Sequence, residues 1–192
     1  MERTLVVLKA DAVQRGIIGD IIGRFEKMGF KVVGAKMLQP DTDLAGKHYP
    51  TERREFIEGM GNKTLENYHE QGKDPRIEFG TDDAYQIGLK LQSWLVEFLT
   101  SDPVLALVLE GPHVVEMVRK VVGHTLPAKA QPGTIRGDYS FDSPLLANEN
   151  KRPIRNLIHA SGNVDEAELE INLWFKPGEL FSYDTIHQTH ML

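Results

Sequence analysis

"TLVVLKADAVQRGIIGDIIGRFEKMGFKVVGAKML", residues 4–38, changes its hydrophobic period twice, and those changes set the fold. Thr4 to Leu8 is a short apolar run rich in β-branched residues, the pattern of a central strand. From Gly16 to Gly29 the apolar residues Ile17, Ile18, Ile21, Ile22, Phe25 and Met28 recur at helical spacing. Gly29 stands where a helix-ending glycine belongs, and Phe30 to Leu38 reads as a second strand. Gly19 and Gly23 form a small-residue pair, but Asp20 and Arg24 exclude a membrane helix.

Beyond this unit, Thr42 to Ile57 is polar and helical in pieces. Residues 60–84, "MGNKTLENYHEQGKDPRIEFGTDDA", are polar and broken by Gly61, Gly72, Pro75 and Gly80, so a surface insertion is expected there. A helix follows from about Ala84 to Leu99, then a buried strand over Val104 to Leu109 and a helix over His113 to Val122. Residues 124–154 lack a sustained period and read as a long ordered loop, lengthened at about 141–152. Residues 155–159 are the last strand. Asn163 then caps a helix with Glu166 three residues on, in the manner of a capping box. The order implies one domain over residues 1–192: an α+β sandwich, a mainly antiparallel sheet with helices packed on it.

Composition narrows the function. The 192 residues carry a formal net charge of −6, which argues against a general nucleic-acid binder but allows one local cationic pocket. No cysteine is present, so disulfides, thiolate metal sites and cysteine nucleophiles are excluded. The apolar run Leu5 to Leu8 is too short for a signal-peptide core, and no apolar stretch approaches the roughly 20 residues that span a bilayer. A cytoplasmic protein is expected, with no membrane contact.

The candidate chemistry centres on "RNLIHASG", residues 155–162. His159 ends an apolar strand directly before a helix start, where it is either a satisfied core histidine or a base, ligand or nucleophile. Glu170 lies on the next helix between Ala167 and Trp174, and the strand-turn-helix path can fold it back toward His159. A glutamate accepting one ring N–H fixes the tautomer and leaves the other nitrogen with a lone pair. Lys9, Arg119, Thr125 and Arg136 stand at element ends, where they are solvated groups or the parts of one anion pocket.

These residues carry a resemblance. "ERTLVVLKADAVQRGIIGDIIGRFEKMGF", "HY" at 48–49, "PVLALVLEG", "VRKVVG", "TLPAKAQPGTIRGDY", "RNLIHAS" and "DEAELEINLWF" resemble, in order, the nucleoside diphosphate kinase family. The resemblance covers the chain except for residues 60–84, the stretch around 141–152 and the tail. It implies a ferredoxin-like βαββαβ sandwich and a homo-oligomer. It implies transfer of the γ-phosphoryl group of ATP or another nucleoside triphosphate to a nucleoside diphosphate. It further implies ping-pong kinetics through a phosphohistidine, broad base acceptance, and Mg²⁺ that rides on the phosphates without a direct protein ligand.

Residue by residue, His159 matches the phosphorylated histidine and Glu170 its orienting carboxylate, with Ser161 and Tyr49 close to the imidazole. Lys9, Arg119, Thr125 and Arg136 match groups holding the phosphates, and Lys9 with Asn156 the contacts to the ribose hydroxyls.

Several positions depart from the family pattern. Ala10 replaces a proline, Ala160 a glycine, and Gly162 an acidic residue. A positive φ at Ala160 would strain the chain. Counting back from "LVEFLTSDPV" puts the base-stacking position near Leu91, with Tyr85, Phe79 and Trp94 as neighbouring aromatics. A regular strand points residues three apart to opposite faces, so Asn156 belongs to the loop before the strand if it serves the same site as His159.

Two other readings remain on residues alone. A catalytically weak nucleotide-binding interaction protein would keep the fold, yet it would not need the whole polar set. A metal site among His48, His69, His113, His124, His187 and His190 has helical spacing only at His187 and His190.

Overall fold

The first apolar run forms β1 (Glu2–Leu8), whose side chains alternate between the two faces of a sheet. Val6 and Leu8 enter one apolar layer, Leu5 and Val7 the other, and all four are fully buried. The computed structural model describes residues 1–186 and 190. After β1 come α1 (Ala10–Gln14), α2 (Ile18–Lys27) and β2 (Lys31–Leu38). Four helices then lead to β3 (Val104–Gly111): α3 (Thr42–His48), α4 (Arg54–Glu70), α5 (Pro75–Phe79) and α6 (Ala84–Ser101). Next are α7 (Val114–Val122), α8 (Ile135–Tyr139), α9 (Pro144–Glu149), the short strand β4 (Ile158–Ala160) and α10 (Val164–Trp174).

The sheet order is β2-β3-β1-β4, antiparallel at every pairing. With α2 and α7 as the two crossovers, this is the ferredoxin-like βαββαβ sandwich. Ile21 and Phe25 of α2 and Val114, Val118 and Val122 of α7 cover Val6, Leu8, Leu107 and Leu109. On the opposite face Ala45 of α3, Leu99 of α6 and Ile171 and Trp174 of α10 cover Leu5, Val7, Ala106 and Val108. A sheet buried on both faces explains why β1 and β3 are continuous apolar runs without polar alternation. No helix among the described residues is long and apolar enough to cross a membrane.

The structure differs from the sequence expectation in three places. Within residues 60–84 the break expected at Gly61 is absent, because α4 runs through Gly59 and Gly61, whereas Gly72 and Gly80 do follow helix ends with positive φ and Asp74 caps α5 at Pro75. A Cβ on Gly61 would lie 1.8 Å from the Ala84 carbonyl oxygen, and one on Gly88 would lie 2.0 Å from that of Ile57. Both glycines are needed because α4 and α6 meet backbone to backbone, a contact between distant segments that no local pattern encodes. The long loop 124–154 carries α8 and α9. Around its lengthened part Asp142 accepts hydrogen bonds from Arg152 Nη2 at 3.1 Å and from the Arg155 backbone N–H at 2.7 Å. The last strand begins at Ile158 and not at Arg155, for the reason that builds the site.

Candidate active site

Leu157 has φ = 69°, and the Ile158 N–H donates back to the Asn156 carbonyl at 2.8 Å. This is a γ-turn of the strained, positive-φ kind, held by a fully buried Leu157 side chain. Its polar groups are pinned by the β1–α1 connection: Leu157 N–H donates to Asp11 Oδ2 at 3.0 Å, and Lys9 N–H donates to the Leu157 carbonyl at 2.8 Å. The turn takes Asn156 out of the strand period and sets it against Lys9, whose Nζ donates to Asn156 Oδ1 at 2.6 Å. Asn156 Nδ2 in turn donates to the Thr125 carbonyl at 2.9 Å. Ala160 keeps a φ outside the positive region, so the strain sits at Leu157 instead.

His159 pairs with Val7 across β4 and β1, so its side chain goes to the face covered by α10. There the ring Nε2 lies 2.9 Å from both carboxylate oxygens of Glu170. Ser161 Oγ donates to Glu170 Oε2 at 2.6 Å, and Ser161 is fully buried. Asn163 sets the phase of α10 by accepting the Glu166 N–H at 2.9 Å. That phase turns Ala167, Glu170, Ile171 and Trp174 inward.

Burial, then the nearby charges of Lys9, Arg136 and Arg119, push the His159 pKa down to about 3. Burial pushes the Glu170 carboxyl up. A neutral imidazole bonded through Nε2 to a carboxylate carries its proton there, which leaves Nδ1 with the lone pair.

Sequence reasoning set His48 among scattered histidines and did not place it beside His159. Its ring stands edge-on to that of His159, with centroids 4.4 Å apart at 80°, and Trp174 Nε1 donates to its Nδ1 at 3.3 Å. Burial and the adjacent His159 push its pKa to about 3 as well. Among the described residues, His48, His159 and Glu170 are the one group of three side chains close enough to share a metal ion. His187 lies outside the described residues, so the spacing of His187 and His190 is not matched to a geometry.

His159 opens onto a cleft of about 650 Å³ whose wall also includes Lys9, Tyr49, Arg119, Thr125 and Arg136. Glu170 and Ser161 are behind this wall and not part of it. Arg136 is fixed by three backbone carbonyls: Nε donates to Asn156 at 3.1 Å, Nη1 to Gly123 at 3.0 Å and Nη2 to Ile158 at 2.6 Å. Burial and the charge of Arg119 lower its pKa to about 10, so it stays a cation. Lys9 is pushed down to about 8, chiefly by burial, with Asp11 opposing and Arg136 adding to the shift. Burial raises the Tyr49 phenol, which therefore stays protonated.

Away from these cations the wall also carries the apolar side chains of Phe56, Met60, Leu91 and Leu95. Phe79 and Trp94 pack on each other with centroids 6.0 Å apart, and Tyr85 lies under Arg54. Phe56 is an aromatic of the cleft wall that sequence reasoning did not single out. Counting back from Leu95 stops at Leu91, on the far side of residues 60–84, whereas Phe56 lies seven residues after Tyr49 and before them.

The sequence profile of the nucleoside diphosphate kinase family matches residues 2–63 and 86–180. The chain belongs to that family. A nucleoside diphosphate kinase of Pyrobaculum aerophilum is 48% identical over 180 residues, covering 94% of this chain and 98% of its own. A crystal structure of an NDP kinase from the same organism aligns with a TM-score of 0.92 at 46% identity, over 94% of this chain and 99% of that one. The Borrelia burgdorferi nucleoside-diphosphate kinase, solved as a transition-state mimic with bound vanadate and ADP, aligns at 0.77 with 37% identity, over 98% and 95% of the two chains. The family profile leaves out residues 64–85, the second half of α4 with α5.

Proposed function

We propose that His159 takes the γ-phosphoryl group of a nucleoside triphosphate on Nδ1 and passes it to a nucleoside diphosphate. The observation that carries this reading is an imidazole whose Nε2 is committed to Glu170, on a cleft wall shared with Lys9, Arg119 and Arg136. In the first half-reaction the Nδ1–phosphorus bond forms as the bond from phosphorus to the bridging oxygen breaks, and the nucleoside diphosphate leaves with that electron pair. The second half-reaction reverses these events on a new diphosphate, so kinetics are ping-pong.

Charge stabilisation is the main requirement of phosphoryl transfer. Arg136, immobilised by its three carbonyls, and Arg119, exposed at the rim, meet the phosphate oxygens. Lys9 adds a point charge and, with Asn156 and the Thr125 hydroxyl, holds ribose and phosphate. Glu170 and Ser161 orient the imidazole, and Tyr49 closes the wall beside it. Phe56 takes the base by stacking, which tolerates every base.

Magnesium enters this reading on the phosphates. The donor set fits an ion carried in that way, because the phosphate end is lined by cations, and its carboxylate Glu166 is engaged with Gly162 N–H at 2.8 Å and Arg53 at 3.3 Å. The ion's contribution is neutralisation of phosphate charge. Two further parts of the reading, a homo-oligomer and a cytoplasmic location, come from the family resemblance, and a light-scattering mass checks the first.

The test is incubation with γ-labelled ATP and Mg²⁺. The expected product is acid-labile, base-stable label on His159, discharged by added nucleoside diphosphate. His159→Ala is expected to bind nucleotide but take no label. Wild-type turnover in that variant refutes the mechanism.

A further inference from the structure

α4 presents one stripe to the cleft. Phe56, Met60, Lys63, Asn67 and Glu70 succeed one another at steps of four and three, and all line the cleft that holds His159. The start of the helix stands at the phosphate end, since Arg53 before its first turn lies 3.3 Å from Glu166 Oε1 and Glu166 also holds the Gly162 N–H. α4 therefore leads away from His159 as it passes from Phe56 to Glu70. A nucleotide with phosphates at Arg119 and Arg136 and its base on Phe56 points the outer edge of that base along α4, toward Met60 and Lys63.

Lys63 lies seven residues beyond Phe56, about 10 Å along the axis and on the same face. Helical side chains lean toward the N-terminus, so its stem leans back over the base. Its backbone is held rigidly, because Gly61 two residues earlier abuts the Ala84 carbonyl of α6. Lys63 is exposed, and its ammonium makes no hydrogen bond or ion pair with another side chain among the described residues. The carboxylate and amide side chains that α4 itself brings to this wall, Glu66, Asn67 and Glu70, stand farther along the helix, and Asn67 Nδ2 is bonded back to the Lys63 carbonyl at 2.7 Å.

We infer that Lys63 determines base preference, favouring guanine over adenine against an otherwise tolerant stacking site. An ammonium offers three donors and no acceptor. Guanine presents two acceptors, O6 and N7, on one edge, whereas adenine pairs its N7 with an amino group that an ammonium repels. The inference rests on the phosphohistidine reading, because that reading orients the nucleotide.

The experiment loads the full-length protein from labelled ATP, removes the nucleotide, and measures discharge of the label to GDP and to ADP. Lys63→Met keeps the length and removes the donors, and Lys63→Glu replaces them with acceptors. The wild-type chain is expected to discharge more efficiently to GDP. Lys63→Met is expected to lower the GDP-to-ADP ratio of kcat/KM about fivefold, the worth of one exposed hydrogen bond, and Lys63→Glu to reverse the preference. A ratio unchanged in both variants overturns the base-edge role while leaving the reaction intact. A wild-type chain that takes no label on His159 overturns the reaction itself. Equal thermal midpoints for the three chains exclude a folding origin for any shift.

Discussion

Replacing Glu170 with Gln isolates the role of its charge. The carboxylate accepts from two donors, His159 Nε2–H at 2.9 Å and Ser161 O–H at 2.6 Å. An amide offers one oxygen to those two donors, and its own NH₂ group must face one of them. Positive charge develops on the imidazole as Nδ1 bonds to phosphorus, so the bond to the carboxylate strengthens in the transition state. Hydrogen bonds to a charged group contribute about 1.5–3 kcal/mol against about 0.5–1.5 for neutral ones. With one bond weakened and one misdirected, the expected loss is about 1–3 kcal/mol, a rate of phosphorylation slower by about 10- to 100-fold.

Glu170 sits behind the cleft wall, so the KM for ATP is expected to stay within about twofold of wild type, as for a group acting only in the transition state. Burial raises the Glu170 pKa, so its ionised form weakens the fold, and the neutral variant should melt no lower than wild type. Rapid-quench phosphorylation at saturating ATP, with a thermal melt alongside, reads all three quantities. Phosphorylation within twofold of wild type, or a loss confined to KM, would falsify the orienting role.

The Lys9 pKa near 8 sets a second expectation: the free enzyme loses this cation as pH rises, so kcat/KM for ATP should fall above about pH 8. A profile that stays flat to pH 9.5 removes Lys9 from substrate binding. Acid stability gives a third. His48 and His159 titrate near 3 when folded and near 6.5 when unfolded, so only the unfolded chain takes up their protons within that interval. Their contribution to stability is complete above pH 6.5 and is lost as pH falls toward 3, which denaturant midpoints at pH 7, 5.5 and 4.5 should follow. An acid slope as steep in a His48→Gln, His159→Gln double variant rules this origin out. Finally, Gly61→Ala forces a methyl into the Ala84 carbonyl and should lower unfolding free energy by about 1–3 kcal/mol. A midpoint equal to wild type means that α4 and α6 do not meet backbone to backbone.

Local pattern was enough wherever one element's burial decides its residues. The apolar runs of β1 and β3, the stripe of α2 and the Asn163 cap of α10 could be read directly, because strand and helix periods are properties of neighbouring residues. The motif order also marked His159, Glu170, Lys9, Arg119, Thr125, Arg136 and Asn156 before any coordinates. Their convergence was not legible. Asn156 reaches Lys9 only because Leu157 adopts a positive φ, a strain that its own sequence disfavours and that Asp11, from a distant segment, holds in place. Gly61 read as a breaker because nothing near it in the chain announces the α6 backbone against which it packs. His48 looked like one of several scattered histidines until α3 and α10 brought it edge-on to His159. Periodicity records which face of an element is buried. Which atoms meet across that face is set by contacts between segments far apart in the chain, and only the tertiary structure supplies those.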